Sequence, residues 1–388
     1  MLSRSLAAQW ITRLAGSQTC VMQTASFTSS ADKEIVREKQ GSKRIVTLNR
    51  PKALNALNLN MVRDLYPLLK KWDYAQTVSM VIVKGSGEKA FCAGGDVLAV
   101  IESAKQFKTG GSSTLHRDFF REEYHLNNLI SNFSKPYVAL IDGITMGGGC
   151  GLSVNGRFRV ATERTMMSMP ETALGLFPDV GGSYFLSRLK NNLGLYLALT
   201  GYRLTGADAW HSALATHFVQ SSDLPALEER LLSLKSPNDD LVDAAIMEFQ
   251  PKSIPPFSLA DKLPIIRDTF HAKTVEDIIG KLEKEGSEWS KKQISTLLKM
   301  SPTSLKVTLS QLDRGARMSH AKVFTMEYRL TQRFLEDHDF YEGCRAILID
   351  KDRNPKWKPA TLDEVSDDKV ESYFQPLPHA QELVLHED

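Results

Sequence analysis

Two glycine-rich segments of this chain follow short apolar runs and could bring backbone N–H groups close to a ligand. The first contains Ala93-Gly94-Gly95-Asp96, and the second contains Gly147-Gly148-Gly149. Glycine has no Cβ, so the backbone can approach a bound group closely. The first N–H groups of a helix also have no acceptor within the helix. Two such N–H groups from separate loops would form an oxyanion hole, which stabilises a carbonyl oxygen as it becomes negative.

Two carboxylates downstream are candidates to work with these N–H groups. Glu171 follows Pro170 and could serve as a general base or a nucleophile, or simply as a first-turn carboxylate that a helix dipole favours. Asp179 precedes Val180-Gly181-Gly182, where it could also be the N-cap of the next helix. Neither glycine run has the Lys-Ser/Thr of a phosphate-binding loop or the GxGxxG spacing of a dinucleotide site. Phosphate and dinucleotide chemistry are therefore disfavoured.

The elements that must carry these residues alternate between strands and helices as far as about residue 220. The β-branched and apolar runs predict strands at residues 44–48, 80–83, 136–141, 158–161 and 166–169. Apolar residues at helical spacing predict helices at residues 58–72 and 115–131. Strands that alternate with helices indicate an α/β fold.

After about residue 220 strand patterns become rare and helical patterns take over. Helices are predicted at residues 225–234, 240–248, 275–284, 291–299 and 303–313. The proline-containing stretch 250–264 is predicted to be a loop or a boundary between helices. We therefore expect an α/β core at about residues 32–225 and a mainly helical region at about residues 226–388.

Charge and cysteine usage exclude several classes of function. The 388 residues include 48 basic and 46 acidic ones, a net charge of +2 without the basic footprint of a nucleic-acid-binding protein. No run of about 18 apolar residues predicts a membrane span. Cys92, Cys150 and Cys344 show no CxxC spacing and the histidines no HExxH motif, so neither a metal site nor a disulfide framework is predicted. We expect these cysteines to be reduced and buried.

Residues 1–31 have the composition of a mitochondrial transit peptide. They include Arg4 and Arg13, many Ser and Thr residues and no acidic residue, and apolar residues recur every fourth position from Leu2 to Leu14. This basic, amphipathic pattern predicts import into the mitochondrial matrix, with cleavage near residues 25–33. The alternative is a tail without a targeting role.

Taken in order, these motifs resemble those of the enoyl-CoA hydratase/isomerase, or crotonase, superfamily. The matching segments are residues 48–57, 91–96, 142–152 and 169–182. The resemblance implies a crotonase-like spiral of ββα units followed by a helical C-terminal part, acting on coenzyme A thioesters. It also implies that Gly95 and Gly148 supply the oxyanion-hole N–H groups. Residues Lys52, Ala53 and Leu54 would lie at the coenzyme A site.

Within the superfamily the carboxylates decide the reaction. Hydratases use two glutamates to hold and split a water, and one of those positions is Gly151 here while the other is Glu171. A glycine cannot transfer a proton, so the two-glutamate mechanism is not available to this chain. Asp179 stands where hydratases typically have glycine, and this exchange resembles the branch of acyl-CoA thioester hydrolases.

The resemblance to this hydrolase branch extends to about residue 360. It also rests on residues 119–124, 175–182, 300–306, 326–330 and 349–357. It implies hydrolysis of 3-hydroxyisobutyryl-CoA in valine degradation, with 3-hydroxypropionyl-CoA as a second candidate substrate. By this resemblance Glu171 is the base or nucleophile, Asp179 assists it, and Glu123 binds substrate together with Gly148. No cofactor is implied, because coenzyme A is part of the substrate.

Two other functions remain alternatives. An enoyl-CoA isomerase or an atypical hydratase could work with Glu171 alone, but neither explains Asp179 or the long helical extension. A non-catalytic scaffold that binds coenzyme A or RNA would belong to a different class, and Glu171 and the absence of a basic strip disfavour it. Many relatives form trimers or hexamers, but the longer helical segment could cover the same surface within one chain, so the oligomeric state is left open.

Overall fold

The computed structural model describes residues 33–385. The predicted transit peptide, residues 1–31, lies outside the described residues. The described chain from Glu34 onward belongs to one compact unit, and the division predicted near residue 225 stays a prediction. No helix within residues 33–385 is both long enough and apolar enough to cross a membrane.

The strands of the described chain form two sheets. In chain order they are β1 (Ile35–Gln40), β2 (Lys43–Leu48), β3 (Met80–Gly85), β4 (Ala90–Cys92), β5 (Tyr137–Ile141), β6 (Ile144–Met146), β7 (Phe158–Ala161), β8 (Met166–Ser168), β9 (Leu204–Thr205) and β10 (His217–Phe218). The larger sheet has the order β1-β2-β3-β5-β7-β10, in which only β1 and β2 are antiparallel. The smaller sheet has the order β4-β6-β8-β9, in which only β8 and β9 are antiparallel. The predicted strands correspond to β2, β3, β5, β7 and β8.

The helices lie between these strands and then follow them. Those between the strands are α1 (Leu59–Tyr74), α2 (Val97–Lys108), α3 (Leu115–Ser131), α4 (Gly148–Ser153), α5 (Gly182–Phe185), α6 (Leu193–Thr200) and α7 (Gly206–His211). Those after the last strand are α8 (Leu224–Ser233), α9 (Asp239–Met247), α10 (Leu263–Thr269), α11 (Val275–Glu285), α12 (Glu288–Leu297), α13 (Pro302–Gly315), α14 (His320–Glu336), α15 (Asp339–Cys344) and α16 (Asp367–Phe374). The α/β fold with a helical C-terminal part is confirmed, and all seven predicted helices are present.

The two faces of the larger sheet pack against different apolar clusters. Because side chains alternate along a strand, Val81 and Val83 of β3 belong to the main core, while Met80 and Ile82 belong to a second cluster on the other face. Apolar residues of α8 and α9 close this second cluster. Strands buried on both faces are continuously apolar, which is why β3 and β5 could be recognised from sequence.

Helices α1 and α3 pack side by side and bring one face of α3 into the core. Asn58 begins α1, because its side-chain oxygen accepts a hydrogen bond from the Met61 N–H at 2.9 Å. The apolar face predicted for this helix is buried. In α3 the buried positions include Phe119, Glu123 and Tyr124, so this helix presents a carboxyl to the interior.

The C-terminal helices contact the segment that carries Glu171. A short 3-10 helix spans Glu171–Leu174. The backbone N–H of Ser301, just before α13, donates to the Thr172 carbonyl at 3.3 Å. The Ser301 hydroxyl donates to the buried carboxylate of Asp339 in α15 at 2.6 Å. The helical region thus fixes the backbone around the candidate carboxylate.

Candidate active site

The first glycine loop leaves one N–H group without a partner. Gly94 has φ +117°, which favours glycine. The Leu57 N–H donates to the Gly94 carbonyl and the Asp96 N–H donates to the Leu57 carbonyl, each at 2.8 Å. These two bonds fix the loop on either side of Gly95. Within residues 33–385 the Gly95 N–H donates to no acceptor.

The second loop brings a second unpaired N–H next to the first. Gly147 has φ +45°, and α4 begins at Gly148. As the first residue of the helix, Gly148 has no intrahelical acceptor for its N–H, and the described chain provides no other. A Cβ added at Gly148 would lie 3.2 Å from the Gly95 nitrogen and 2.8 Å from the Glu123 carboxylate. The two predicted donors are therefore neighbours, as an oxyanion hole requires.

Three carboxyl groups share a cavity of about 390 Å³ with these two glycines, namely Glu123, Glu171 and Asp179. Glu171 and Asp179 are each 5% exposed and Glu123 is 1% exposed. A Cβ at Gly147 would lie 2.8 Å from a Glu171 carboxylate oxygen, so this carboxyl reaches the second loop. The cavity therefore brings together all the residues predicted to act on the thioester.

Burial raises the pKa of all three carboxyl groups, and repulsion from neighbouring carboxylates adds to the shift at Glu123 and Glu171. Burial holds the pKa of Glu171 well above its usual range, and the charge of Asp179 adds to this. The pKa of Glu123 is raised well above its usual range by burial first and then by Asp179 and Glu171. Burial raises the pKa of Asp179 only to about 6, because the Tyr124 hydroxyl donates to it. The Tyr124 hydrogen bond therefore favours the ionised form of Asp179.

Asp179 is held by a tyrosine and does not cap a helix. The Tyr124 hydroxyl donates to an Asp179 carboxylate oxygen at 2.8 Å. Helix α5 instead has Gly181 as its N-cap residue, so the capping alternative for Asp179 is wrong. Glu171 is the first residue of the 3-10 helix and also lines the cavity, so its first-turn position and a site role coincide.

Gly151 has no room for the side chain that hydratases carry at this position. A Cβ there would lie 2.8 Å from the Val180 Cβ and 2.9 Å from the Asn127 amide nitrogen. Contacts under about 3 Å need a shift of the neighbouring groups, and overpacking of this kind usually costs about 1–3 kcal/mol. The space beside Gly151 is thus occupied by Asn127 and Val180.

We expect Gly151→Ala to destabilise the fold by about 1–3 kcal/mol. Gly280 of α11 is a matched control, because a Cβ there would meet no atom within 4 Å. In a helix interior, Gly280→Ala is expected to be stabilising by roughly 0.5–1 kcal/mol. Urea denaturation of both variants measures the difference. Equal stability of the two variants would mean that the space at Gly151 is not filled.

The rest of the cavity wall is mainly apolar and includes residues that sequence reasoning missed. Phe119 and Phe120 of α3 line it, and so do Ile347 and Leu348. The last two lie in a π-helix, Arg345–Ile349, that follows α15. Their spacing carries no chemical signal, and only the fold brings them to the site. An exposed Arg203, which has no ion pair within the described chain, also lines the cavity.

The predicted coenzyme A segment lies beside the first loop but not in the cavity wall. Lys52 and Ala53 are exposed in a 3-10 helix, Pro51–Ala53. The Leu54 carbonyl accepts a hydrogen bond from the Ala93 N–H at 3.0 Å. This bond connects the segment to the loop that carries Gly95, and the coenzyme A role stays a prediction.

The thiol groups of the described chain are buried and unreactive. The predicted burial of Cys92, Cys150 and Cys344 is confirmed, and all three are free thiols. Burial raises the pKa of the Cys92 thiol to about 12, so it is not a reactive thiolate. No group of three or more His, Cys, Asp or Glu side chains in residues 33–385 is arranged to hold a metal ion.

The fold and this cavity identify the class of protein. The sequence model of the enoyl-CoA hydratase/isomerase family matches residues 43–374, and the chain belongs to that family. A solved carnitinyl-CoA dehydratase from Mycobacterium thermoresistibile is 38% identical, with a TM-score of 0.83 over 91% of this chain and 99% of that one. A solved enoyl-CoA hydratase from Rhodobacter sphaeroides is 34% identical, with a TM-score of 0.81 over 91% of this chain and all of that one.

Relatives with higher identity point to one branch of the family. The chain is 54% identical to the mitochondrial 3-hydroxyisobutyryl-CoA hydrolase of Danio rerio, over 90% of this chain and 92% of that one. It is 50% identical to the human protein of the same name, over 90% of each chain. The resemblance to the hydrolase branch that the sequence indicated is confirmed.

Proposed function

We propose that this protein hydrolyses 3-hydroxyisobutyryl-CoA to the free hydroxy acid and coenzyme A in the mitochondrial matrix. Relatives that share half of its residues are named mitochondrial 3-hydroxyisobutyryl-CoA hydrolases. The observation that carries the proposal is the cavity itself, in which two unpaired N–H groups, of Gly95 and Gly148, lie beside Glu171 and Asp179. This set can polarise a thioester carbonyl and attack it, and it needs no cofactor.

The two N–H groups would bind the thioester oxygen. As a nucleophile adds to the carbonyl carbon, the oxygen becomes negative, and the N–H groups of Gly95 and Gly148 donate hydrogen bonds to it. Because both donors belong to fixed backbone, little reorganisation is needed during the reaction. The tetrahedral intermediate then collapses, and the carbon–sulfur bond breaks to release coenzyme A.

Glu171 would start the attack. Burial and the charge of Asp179 raise its pKa, and only the ionised carboxylate can serve as base or nucleophile. Ionised Glu171 either takes a proton from an attacking water and passes it to the departing thiolate, or attacks directly to form an anhydride that water then cleaves. Either route ends with the same acid and the free thiol.

Asp179 would act as an acceptor. Its pKa of about 6 leaves it mostly ionised at neutral pH, so it is better suited to accept a hydrogen bond than to give a proton to the thiolate. A carboxylate that accepts from Tyr124 on one side can accept a substrate hydroxyl or a water on the other. This favours a 3-hydroxyacyl group over a plain acyl group. Glu123 would line the same substrate site, and the apolar wall would contact the short acyl chain.

A panel of acyl-CoA thioesters tests the proposal by the appearance of free thiol. We expect turnover of 3-hydroxyisobutyryl-CoA, with 3-hydroxypropionyl-CoA as a second substrate. The matched control is isobutyryl-CoA, which lacks only the hydroxyl. A site built to bond a substrate hydroxyl can discriminate against an analogue without it by up to about four to five orders of magnitude in kcat/KM. Isobutyryl-CoA should therefore be hydrolysed far more slowly. No thiol release from any hydroxyacyl-CoA would contradict the proposal.

Hydration is the second candidate function, since the two similar solved structures described above are named a dehydratase and a hydratase. The same panel separates the two reactions. Addition of water to crotonyl-CoA removes the enoyl absorbance without releasing thiol. The filled space at Gly151 leaves this chain without the second hydratase carboxylate, so we expect no such addition.

A further inference from the structure

We propose that Glu327 is a positioning residue, which fixes Asp179 by holding the backbone turn that follows it. The inference rests on the proposed function of Asp179 and adds a residue that lies outside the cavity wall. Glu327 belongs to α14, in the helical region, almost 150 positions along the chain from Asp179. It is completely buried.

The Glu327 carboxylate binds the turn through both of its oxygens. Oε2 accepts a hydrogen bond from the Gly181 N–H at 2.8 Å, and Oε1 accepts one from the Ser183 N–H at 2.9 Å. The Gly182 N–H between them donates to the Asp179 carbonyl at 2.7 Å and closes the turn on itself. Glu327 therefore fixes the backbone of the same turn to which the Asp179 carbonyl is hydrogen-bonded.

The turn needs to be held, because Val180 has an unfavourable backbone conformation. Its φ is +52°, in the left-handed region where a β-branched residue is a genuine outlier. Such strain costs about 1–3 kcal/mol and persists only when surrounding contacts fix it. Besides Glu327, the Asn155 amide donates to the Val180 carbonyl at 2.9 Å and the Gln311 amide donates to the Pro178 carbonyl at 2.6 Å.

Asp179 is thus held from two directions. Tyr124 of α3 bonds its side chain, while Glu327 of α14 bonds its following backbone. A buried carboxyl is costly, and burial raises the pKa of Glu327, but the two backbone N–H groups oppose the shift because they bond to the ionised form. Only a carboxylate offers two acceptor oxygens to these N–H groups, because glutamine would place an NH₂ against one of them.

A double-mutant cycle tests the proposal. We expect Glu327→Gln to lower kcat by about ten- to a hundredfold, since a misplacement of about 1 Å can cost that much, while KM changes less than about threefold. In an Asp179→Asn background the same substitution should have little further effect, because the group it positions is already disabled. Additive losses in the cycle, or an unchanged kcat in Glu327→Gln, would overturn the proposal.

Two further variants keep the cycle decisive. Glu327→Asp keeps the carboxylate on a shorter side chain. If Glu327→Gln does not fold, Glu327→Asp takes its place in the cycle. Glu382→Gln is the matched control, since Glu382 also binds near α14, through Arg329 and the Leu377 N–H, but does not touch the turn. It should leave kcat unchanged. Thiol release by the wild type reports the proposed function separately, and the cycle is measured on whichever thioester the wild type cleaves fastest.

Discussion

Glu171→Gln is expected to lower kcat for thioester hydrolysis by about two to four orders of magnitude, the range over which a general base contributes. Glutamine has nearly the same shape, so the 3-10 helix and the cavity should be preserved. Its amide cannot take a proton from water and cannot form an anhydride, so both proposed routes are blocked. Thiol release under saturating substrate measures the loss.

The pH dependence adds a second readout of the same change. Glu171 acts as its anion, and burial and the charge of Asp179 raise its pKa well above its usual range. The ionised fraction therefore grows as the pH rises, and kcat/KM of the wild type should increase with pH beyond the ionisation of Asp179 at about 6. Glu171→Gln removes the titrating group, so the residual activity should lose this increase.

Glu163→Gln is the control for this prediction. Glu163 is also a structured carboxylate, which accepts hydrogen bonds from the Ser221 N–H and hydroxyl, but it does not line the cavity. Its loss should leave hydrolysis near the wild-type rate. If Glu171→Gln kept near-normal turnover and the wild-type pH profile, the assignment of the base or nucleophile to Glu171 would be wrong.

The sequence predicted the parts of the fold whose signals are local. The strands at β3 and β5 are continuous apolar runs because both faces of the sheet are covered. Helix α1 was predicted from one apolar stripe, which the structure buries. The glycine runs marked turns next to helix starts, and the family resemblance joined them to Glu171. Short strands such as β9 and β10 carry two residues each, too few for any periodicity to show.

The burial of Glu123 could not be predicted from the charged segment in which it lies. Glu122 and Glu123 are adjacent in a charged patch, yet Glu122 pairs with Arg63 at the surface while Glu123 faces the cavity. Neighbouring residues of a helix point about 100° apart, so a charged pair can straddle the boundary of the buried face. The signal was present in Phe119 and Phe120, which lie four and three positions before Glu123 on the same buried side.

Contributions from the helical region could not be predicted, because they depend on tertiary packing. Glu327 lies in an ordinary amphipathic helix and gains its role only where α14 meets the turn after Asp179. Ile347 and Leu348 reach the cavity through a π-helix, which has no reliable sequence signature. The helical region thus supplies both a part of the cavity wall and a support for one of its carboxylates.

Gly148→Pro is expected to lower kcat by about two to three orders of magnitude more than Gly148→Ala, the usual cost of losing one oxyanion-hole donor. Proline has no N–H but is tolerated at the first position of a helix, where Gly148 lies. Alanine keeps the N–H and adds the same Cβ, which in both variants would press on the Glu123 carboxylate and lie 3.2 Å from the Gly95 nitrogen. Comparing Gly148→Pro with Gly148→Ala therefore separates the effect of removing the N–H donor from the steric effect of the added Cβ.

The comparison of the two variants is informative only if both fold, so thermal unfolding of each accompanies the kinetics. Similar unfolding temperatures with very different kcat would show that the Gly148 N–H stabilises the transition state and does not merely shape the loop. The loss should fall on kcat more than on KM, because the hydrogen bond strengthens as the thioester oxygen gains charge. If the two variants had equal kcat, the oxyanion would have to be bound elsewhere, and the pairing of the two glycine loops would be structural alone.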